Sequence, residues 1–209
     1  MSDSRLIRTA VKTKNIQISY DEVRTELFRK SIHMMVALVP AAASINILAT
    51  ILMLGTAVIA YSICETYRVN GRAVAVISGI TAAAARKRDE GGFVFGPVSL
   101  AVGAMLALLL YPSAAAAVAI YALAFGDSAA SIVGKLFGKI RLPGFGKKTL
   151  EGTLACAVAV YFSTLAITSN TSTAVSVAVS AAVIELVPIK DVDNLLIPVG
   201  TGLVALILI

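Results

Sequence analysis

This sequence predicts an all-α fold: a polytopic membrane protein of about seven transmembrane helices with one further helix at the cytoplasmic interface. Three observations predict it. The 209 residues are 58% hydrophobic and only 14% charged, with a mean hydropathy of +0.88, well outside the range of a soluble domain. Apolar runs follow one another along the chain with short polar breaks between them. With the spans assigned to those runs, all 18 Lys and Arg fall on one side. The length gives one integral-membrane domain, residues 1–209, with residues 1–25 as a polar tail. Any chemistry must then use helix ends and short loops.

The elements follow in order. The tail opens MSDSRLIRTAVKTKN and has no apolar core before residue 32, so it is not expected to be a signal peptide. Residues 34–64 carry no charge, and Pro40 and Asn46 are expected to divide them into two short spans by a tight reversal. Residues 72–85 are apolar but short and read as the interfacial helix. Further runs cover about 93–111, 113–126, 151–168, 172–188 and 194–209, bounded by Pro112, the polar cluster at 168–172 and Asn194. Several are shorter than the ~20 residues of a typical spanning helix, so tilted or partly re-entrant elements are expected.

Charge sets the orientation. Seven cationic residues lie in 1–32, five in 65–92, five in 126–151, and Lys190 makes the eighteenth, whereas the opposite loops near 44–46, 112 and 168–172 carry none. The positive-inside rule makes the charged side cytoplasmic. The alternative of one long span over 34–64 and another over 72–85 keeps seven crossings but strands Arg68 and Arg72 outside. The net charge of +6 suits anionic headgroups and a phosphorylated nucleotide and gives no reason to expect nucleic acid. Cys64 and Cys156 sit apart in or beside apolar runs and read as buried small hydrophobes.

Residues 126–153, GDSAASIVGKLFGKIRLPGFGKKTLEGT, carry the densest chemistry. On a helix, Gly126, Ala130, Gly134 and Gly138 form one stripe, and Asp127, Ser131, Lys135 and Lys139 form the adjacent one. The small stripe serves either close helix packing or the approach of a ligand to the backbone. The polar stripe starts with a carboxylate suited to Mg²⁺ on nucleotide phosphates, and its lysines suit the phosphate charge. After a Pro143–Gly146 turn, Lys147 and Lys148 lead into a helix with Thr149 as its N-cap, whose free N–H groups suit phosphate. No GxxxxGK[ST] occurs, so this is not a Walker A loop.

Two further constellations lie on the same face. Glu26, Arg29, Lys30 and His33 share one helical face at the membrane entrance, where Arg suits bidentate phosphate contact and Lys a point charge. They equally suit a basic flank that orients the first span. His33, the single histidine, is a candidate general base or an interfacial hydrogen-bonding residue. Glu185, Asp191, Asp193 and Asn194 meet across a tight connection, where they bind a second metal, orient a hydroxyl or cap the last helix. Asp127 and Glu185 lie in or at the edge of apolar runs, where ionised groups are costly and mark function. Glu65 with Arg68, and the Arg86–Glu90 run, carry weaker signals.

With these residues named, the chain resembles the polyprenol kinases, CTP-dependent membrane kinases that phosphorylate dolichol, phytol or diacylglycerol. The resemblance covers roughly residues 22–205 and rests on ELFRKSIH at 26–33, GDSAASIVGKLFGK at 126–139, KKTLEGT at 147–153, and Glu185 with DNLLIP at 193–198. It implies CTP as donor, a divalent metal such as Mg²⁺, and a membrane-embedded alcohol as acceptor. By motif position the family's roles fall on Arg29, Lys30, Asp127, Gly134, Lys148, Glu151 and Asp193. Asp127, Glu151 and Asp193 are the implied metal ligands. Asp127, Lys148, Asp193 and His33 are the implied catalytic set. The nucleotide set is Arg29, Lys30, Ser131, Gly134, Lys135, Gly138, Lys147, Lys148 and Thr149. Glu26, Glu185 and Asn194 complete the site. The chain is shorter than eukaryotic dolichol kinases, which points to the bacterial or archaeal branch and to a prokaryotic plasma membrane.

The core around Asp127 and KKTLEG is also similar to that of phosphatidate cytidylyltransferases, which use CTP at a membrane. Those enzymes end with a longer signature that includes a histidine, and no histidine follows His33 here. A small transporter is the remaining alternative. It would place ionisable groups deep within several spans, whereas here they gather at one face.

Overall fold

The computed structural model describes residues 20–72, 75–84, 91–188 and 192–209. The Arg86–Glu90 run, Lys190, Asp191 and the tail up to residue 19 lie outside the described residues. What is described is helical, with no strand beyond a single antiparallel bridge between Arg141 and Thr149. The helices are α1 (Tyr20–Met35), α2 (Val39–Ile45), α3 (Ile47–Val69), α4 (Ala75–Ala84), α5 (Gly96–Leu110), α6 (Ser113–Tyr121), α7 (Asp127–Phe137), α8 (Leu150–Thr168), α9 (Thr171–Glu185) and α10 (Asp193–Leu208). Ile47–Val69, Ser113–Phe137 and Leu150–Thr168 are long and apolar enough to cross a membrane, and Gly96–Leu110, Thr171–Glu185 and Asp193–Leu208 are shorter apolar helices. The protein is an all-α membrane protein, as the composition predicts.

Two boundaries differ from the sequence reading. Pro40 does not help to divide residues 34–64. It sits in the first turn of α2, where a missing N–H costs nothing and a fixed φ suits the helix. The reversal falls at Asn46 alone, whose extended backbone (φ −156°) breaks the helix and whose side chain accepts the Ala49 amide at 2.9 Å. A 3₁₀ turn at Val36–Leu38 joins α1 to α2, so helical backbone runs from Tyr20 to Ile45. The second difference joins the 113–126 run to the charged stretch after it. They form one helical rod, Ser113–Phe137, with a π-helical turn at Ala122–Gly126 immediately before Asp127.

That rod is the centre of the bundle. Val118, Ala119, Ile120, Ala122, Leu123 and Ala124 are fully buried, while α3, α8 and α9 turn Leu52, Ile59, Leu154, Phe162, Val179 and Val183 outward, the surface a bilayer would cover. Lipid removes the hydrophobic drive between helices, so close contact of small residues holds them together. Gly126 is one such place, since a Cβ there would stand 2.7 Å from Val160 and 3.2 Å from Cys156. Cys156 is buried, as its apolar setting predicts, and Cys64 is partly so.

The charged ends are fastened by ion pairs. Glu65, fully buried near the end of α3, accepts Arg68 at 2.7 and 2.8 Å and the Val94 amide at 2.8 Å, while Arg68 also reaches the Gly92 carbonyl at 2.6 Å. Tyr61 donates to the Val94 carbonyl at 2.9 Å. This clamp fixes the segment leading into α5, which the charge pattern alone had ranked as a minor feature.

Candidate functional site

The helical face predicted on α1 turns inward. Glu26, Lys30 and His33 are buried while Leu27, Phe28 and Met34 face outward, so one side of α1 packs on α7 and the other faces the exterior. At the contact, Lys30 Nζ pairs with Asp127 Oδ2, both nearly inaccessible. His33 Nδ1 stands 3.2 Å from the same oxygen, off the line of a hydrogen bond. Asp127 is thus flanked by two basic groups from α1, Lys30 lying 97 positions earlier in the chain. Burial, and after it the charge of Lys30, hold the His33 imidazole below its ordinary value, so at neutral pH it is an uncharged base.

A second layer surrounds this pair. Glu26 accepts Arg29 one turn along and Lys135 at 3.1 Å from α7, and Lys135 also reaches the Glu22 carbonyl at 3.1 Å. Lys148 pairs with Glu185, which takes Thr153 Oγ1 at 3.2 Å as well. Asp193 opens α10, accepts the Asn194 amide at 3.0 Å, and lies within the electrostatic reach of Asp127, Lys30 and Lys148. The structure therefore brings together Glu26, Arg29, Lys30, His33, Asp127, Lys135, Lys148, Glu185 and Asp193 from α1, α7, the loop between α7 and α8, α9 and α10.

Other candidates take different positions. Thr149 is the N-cap of α8 and accepts the Gly152 amide at 3.2 Å, but its hydroxyl is buried against the glycines of α7. A Cβ on Gly134 would lie 2.9 Å from that hydroxyl, and one on Gly138 would lie 2.7 Å from it. Gly152 completes the seam, where a Cβ would meet the Ala130 carbonyl at 2.7 Å. Close packing of α7 on α8 is thus a purpose that the small stripe serves. Asn194 turns to the bundle interior, where its amide donates to Ser99 at 2.8 Å. It does not cap α10, which starts after Val192 without a side-chain cap. Ser131 is half-buried and Lys147 exposed.

Between α7 and α8 the chain makes a tight loop. Leu142 and Lys148 pair at 3.1 Å, Leu150 and Ile140 at 2.9 Å, and Gly144 and Gly146 adopt positive φ of 85° and 67°. Those conformations favour glycine. Glu151 secures the loop by accepting the Lys139 amide at 3.0 Å and the Ile140 amide at 3.2 Å. It is engaged here and not beside Asp127.

Among the described residues no three His, Cys, Asp or Glu side chains gather as a metal cage. A magnesium ion entering with a nucleotide needs less, because one or two carboxylates suffice and phosphate and water complete its shell. Asp193 and Asp127 lie within electrostatic reach of one another and would meet that requirement, whereas Glu151 is engaged by the loop amides.

A cavity of about 190 Å³ adjoins the Lys30–Asp127–His33 group. Arg29 and His33 form one wall, Tyr61 and Thr81 another, and the Val94–Leu100 segment the floor. No sequence signal marked Thr81 or Gly96, because neither belongs to a charged motif.

These features define a multi-helix membrane protein with a buried ionic cluster beside an apolar cavity. The chain is similar to the phytol kinase of Synechocystis sp. (strain ATCC 27184 / PCC 6803 / Kazusa), 34% identical over 99 residues, which cover 43% of this chain and 42% of the relative. It is also similar to the probable chloroplastic phytol kinase of Triticum aestivum, 29% identical over 140 residues, 58% of this chain and 46% of the relative. The matched region spans a little under half the length of each of these curated relatives. No protein-family model matches the chain, and no solved structure does.

Proposed function

We propose that the protein is a lipid kinase that transfers the γ-phosphoryl group of CTP to the hydroxyl of a membrane lipid alcohol at the cytoplasmic face. The observation that carries this is the buried group of Lys30, Asp127 and His33 beside an apolar cavity, with Lys148 of the loop in the same electrostatic neighbourhood. The similarity to phytol kinases supports it.

His33 takes the proton from the acceptor hydroxyl, and the Asp127 carboxylate, 3.2 Å from the imidazole, balances the imidazolium that forms. The acceptor oxygen bonds to the γ-phosphorus as the bond to the β,γ-bridging oxygen breaks, and CDP leaves. Lys147, Lys148, Lys139, Lys135 and Arg29 supply the positive charge against which the phosphoryl oxygens develop theirs. Asp193 and Asp127 would hold Mg²⁺, which supplies further charge neutralisation when bound. Ser131, on the polar stripe of α7, would orient a phosphate.

The test is γ-labelled CTP with Mg²⁺ and purified protein in liposomes, offered phytol, farnesol, long polyprenols, diacylglycerol and, separately, phosphatidic acid. Label passing from CTP into an organic-soluble product supports the kinase. Label released as pyrophosphate with phosphatidic acid alone would instead make the protein a cytidylyltransferase.

The proton transfer has its own signature. A base kept neutral by a lowered pKa is active above that pKa and is lost as pH falls through it. The acid limb of kcat/KM is therefore expected below about 6.5, the ordinary imidazole value. His33→Gln should remove that limb and lower kcat by about 10²–10⁴. A limb unchanged in His33→Gln would exclude His33 as the base.

A further inference from the structure

Five buried side-chain nitrogen and oxygen atoms lack a hydrogen-bond partner among the described residues, and three of them, Arg29 Nε, Thr81 Oγ1 and His33 Nδ1 (3.2 Å from Asp127 but off the line of a hydrogen bond), belong to residues that line the same 190 Å³ cavity. Buried polar atoms are ordinarily paired, and leaving one unpaired costs about 1–3 kcal/mol. Three at one cavity indicate an occupant that brings its own polar group. The remaining lining includes Ile32, Ile80, Ala84, Val94, Pro97 and Leu100, so that occupant also has an apolar body. The volume limits it further. It is only a little larger than the roughly 150 Å³ cavity that accepts a benzene ring, and smaller than the about 300 Å³ at which whole-ligand pockets begin.

We infer that this cavity receives the hydroxyl-bearing end of a single-chain primary lipid alcohol, with Arg29, His33 and Thr81 meeting the hydroxyl and about one isoprenoid unit filling the apolar part. The rest of the chain leaves into the bilayer. A glyceride, which carries two ester groups and two chains beside its hydroxyl, is too bulky to enter, so the site selects isoprenoid alcohols over diacylglycerol. Thr81 is a specificity residue here. The inference rests on the kinase reading for its chemistry, but its geometry can be tested without turnover.

Gly96 supplies the test, because it lines the cavity and a Cβ there meets nothing within 4 Å. Gly96→Leu places a side chain in the cavity. The first measurement is photolabelling by a farnesol-length alcohol with a diazirine near its hydroxyl, in liposomes without nucleotide, followed by peptide mapping. Label is expected within residues 80–84 and 94–100, competed by phytol and not by diacylglycerol, and reduced at least tenfold in Gly96→Leu. Thr81→Val, which keeps the cavity's shape, should reduce it several-fold, and serves if Gly96→Leu does not fold. In turnover, both variants should raise the acceptor KM and leave the CTP KM unchanged.

Label on the outward faces of α8 and α9 with none in the cavity would overturn the assignment, as would equal competition by diacylglycerol. Turnover with label elsewhere would sink this site and leave the kinase standing. Specific label in the cavity without phosphoryl transfer would do the reverse.

Discussion

Asp127→Asn is expected to lower phosphoryl transfer by about 10²–10⁴, the range of general acid–base catalysis, because the charge that balances His33 as it takes the proton is lost. It should also weaken the fold, because Lys30 is then left as a buried cation without its counter-ion, at a cost of about 3–5 kcal/mol. Turnover alone cannot separate these effects, but a second variant can. A buried ion pair replaced on both sides by apolar groups is often neutral or stabilising. The double substitution Lys30→Met with Asp127→Leu should therefore unfold in detergent near the temperature of the unaltered protein, yet remain inactive. Recovery of stability without activity would mark the pair as chemical. Activity restored with stability would reduce it to a fastener between α1 and α7, and the proposed mechanism would fall.

Gly103→Ala is expected to have the largest effect of any single methyl group added to the chain. Pro198 has no N–H for the Asn194 carbonyl one turn earlier in α10, and that carbonyl rests where a Gly103 Cβ would be. The added carbon would also come within 3.3 Å of Pro198 Cγ. Both obstacles are backbone or ring, so neither can rotate aside, and α5 and α10 must separate. Overpacking of this kind costs about 1–3 kcal/mol, occasionally more. Because α10 opens with Asp193 and its neighbour Asn194 bonds Ser99, the shift should reduce turnover as well. Gly55→Ala is the control, since its Cβ would meet only Met105 at an ordinary 3.8 Å. Equal melting temperatures for the two variants would refute the close approach of α5 and α10.

Much of the fold was legible because apolar runs, prolines and capping residues are local signals. The ends of α5, α8, α9 and α10 fall within a few residues of the runs that announced them, and Thr149 caps α8 as its position predicts. Pro40 misled because proline has two meanings, helix starter and helix breaker, which only neighbouring geometry separates. The polar residues of the site were legible as a set, since ionised side chains avoid the bilayer core and so gather at one end. Their pairing was not. That Lys30 meets Asp127, Lys135 meets Glu26 and Lys148 meets Glu185 depends on which helices adjoin, and charge periodicity within one helix carries no such information. Thr81 and Gly96 were invisible for a further reason. A cavity wall is defined by what is absent, and a threonine or glycine in an apolar run looks like any other.

The π-helical turn at Ala122–Gly126 acts as a dislocation in the phase of the central rod. Each residue of an α-helix advances the side chains by about 100°, so one widened turn resets the bearing of everything after it relative to everything before. The half that packs in the bundle and the half that carries Asp127, Ser131 and Lys135 are thereby indexed separately. Sequences aligned through this segment in a continuous helical register would assign their polar stripe to the wrong side of the rod. Length variation of a single residue there would be a change of direction, not of size.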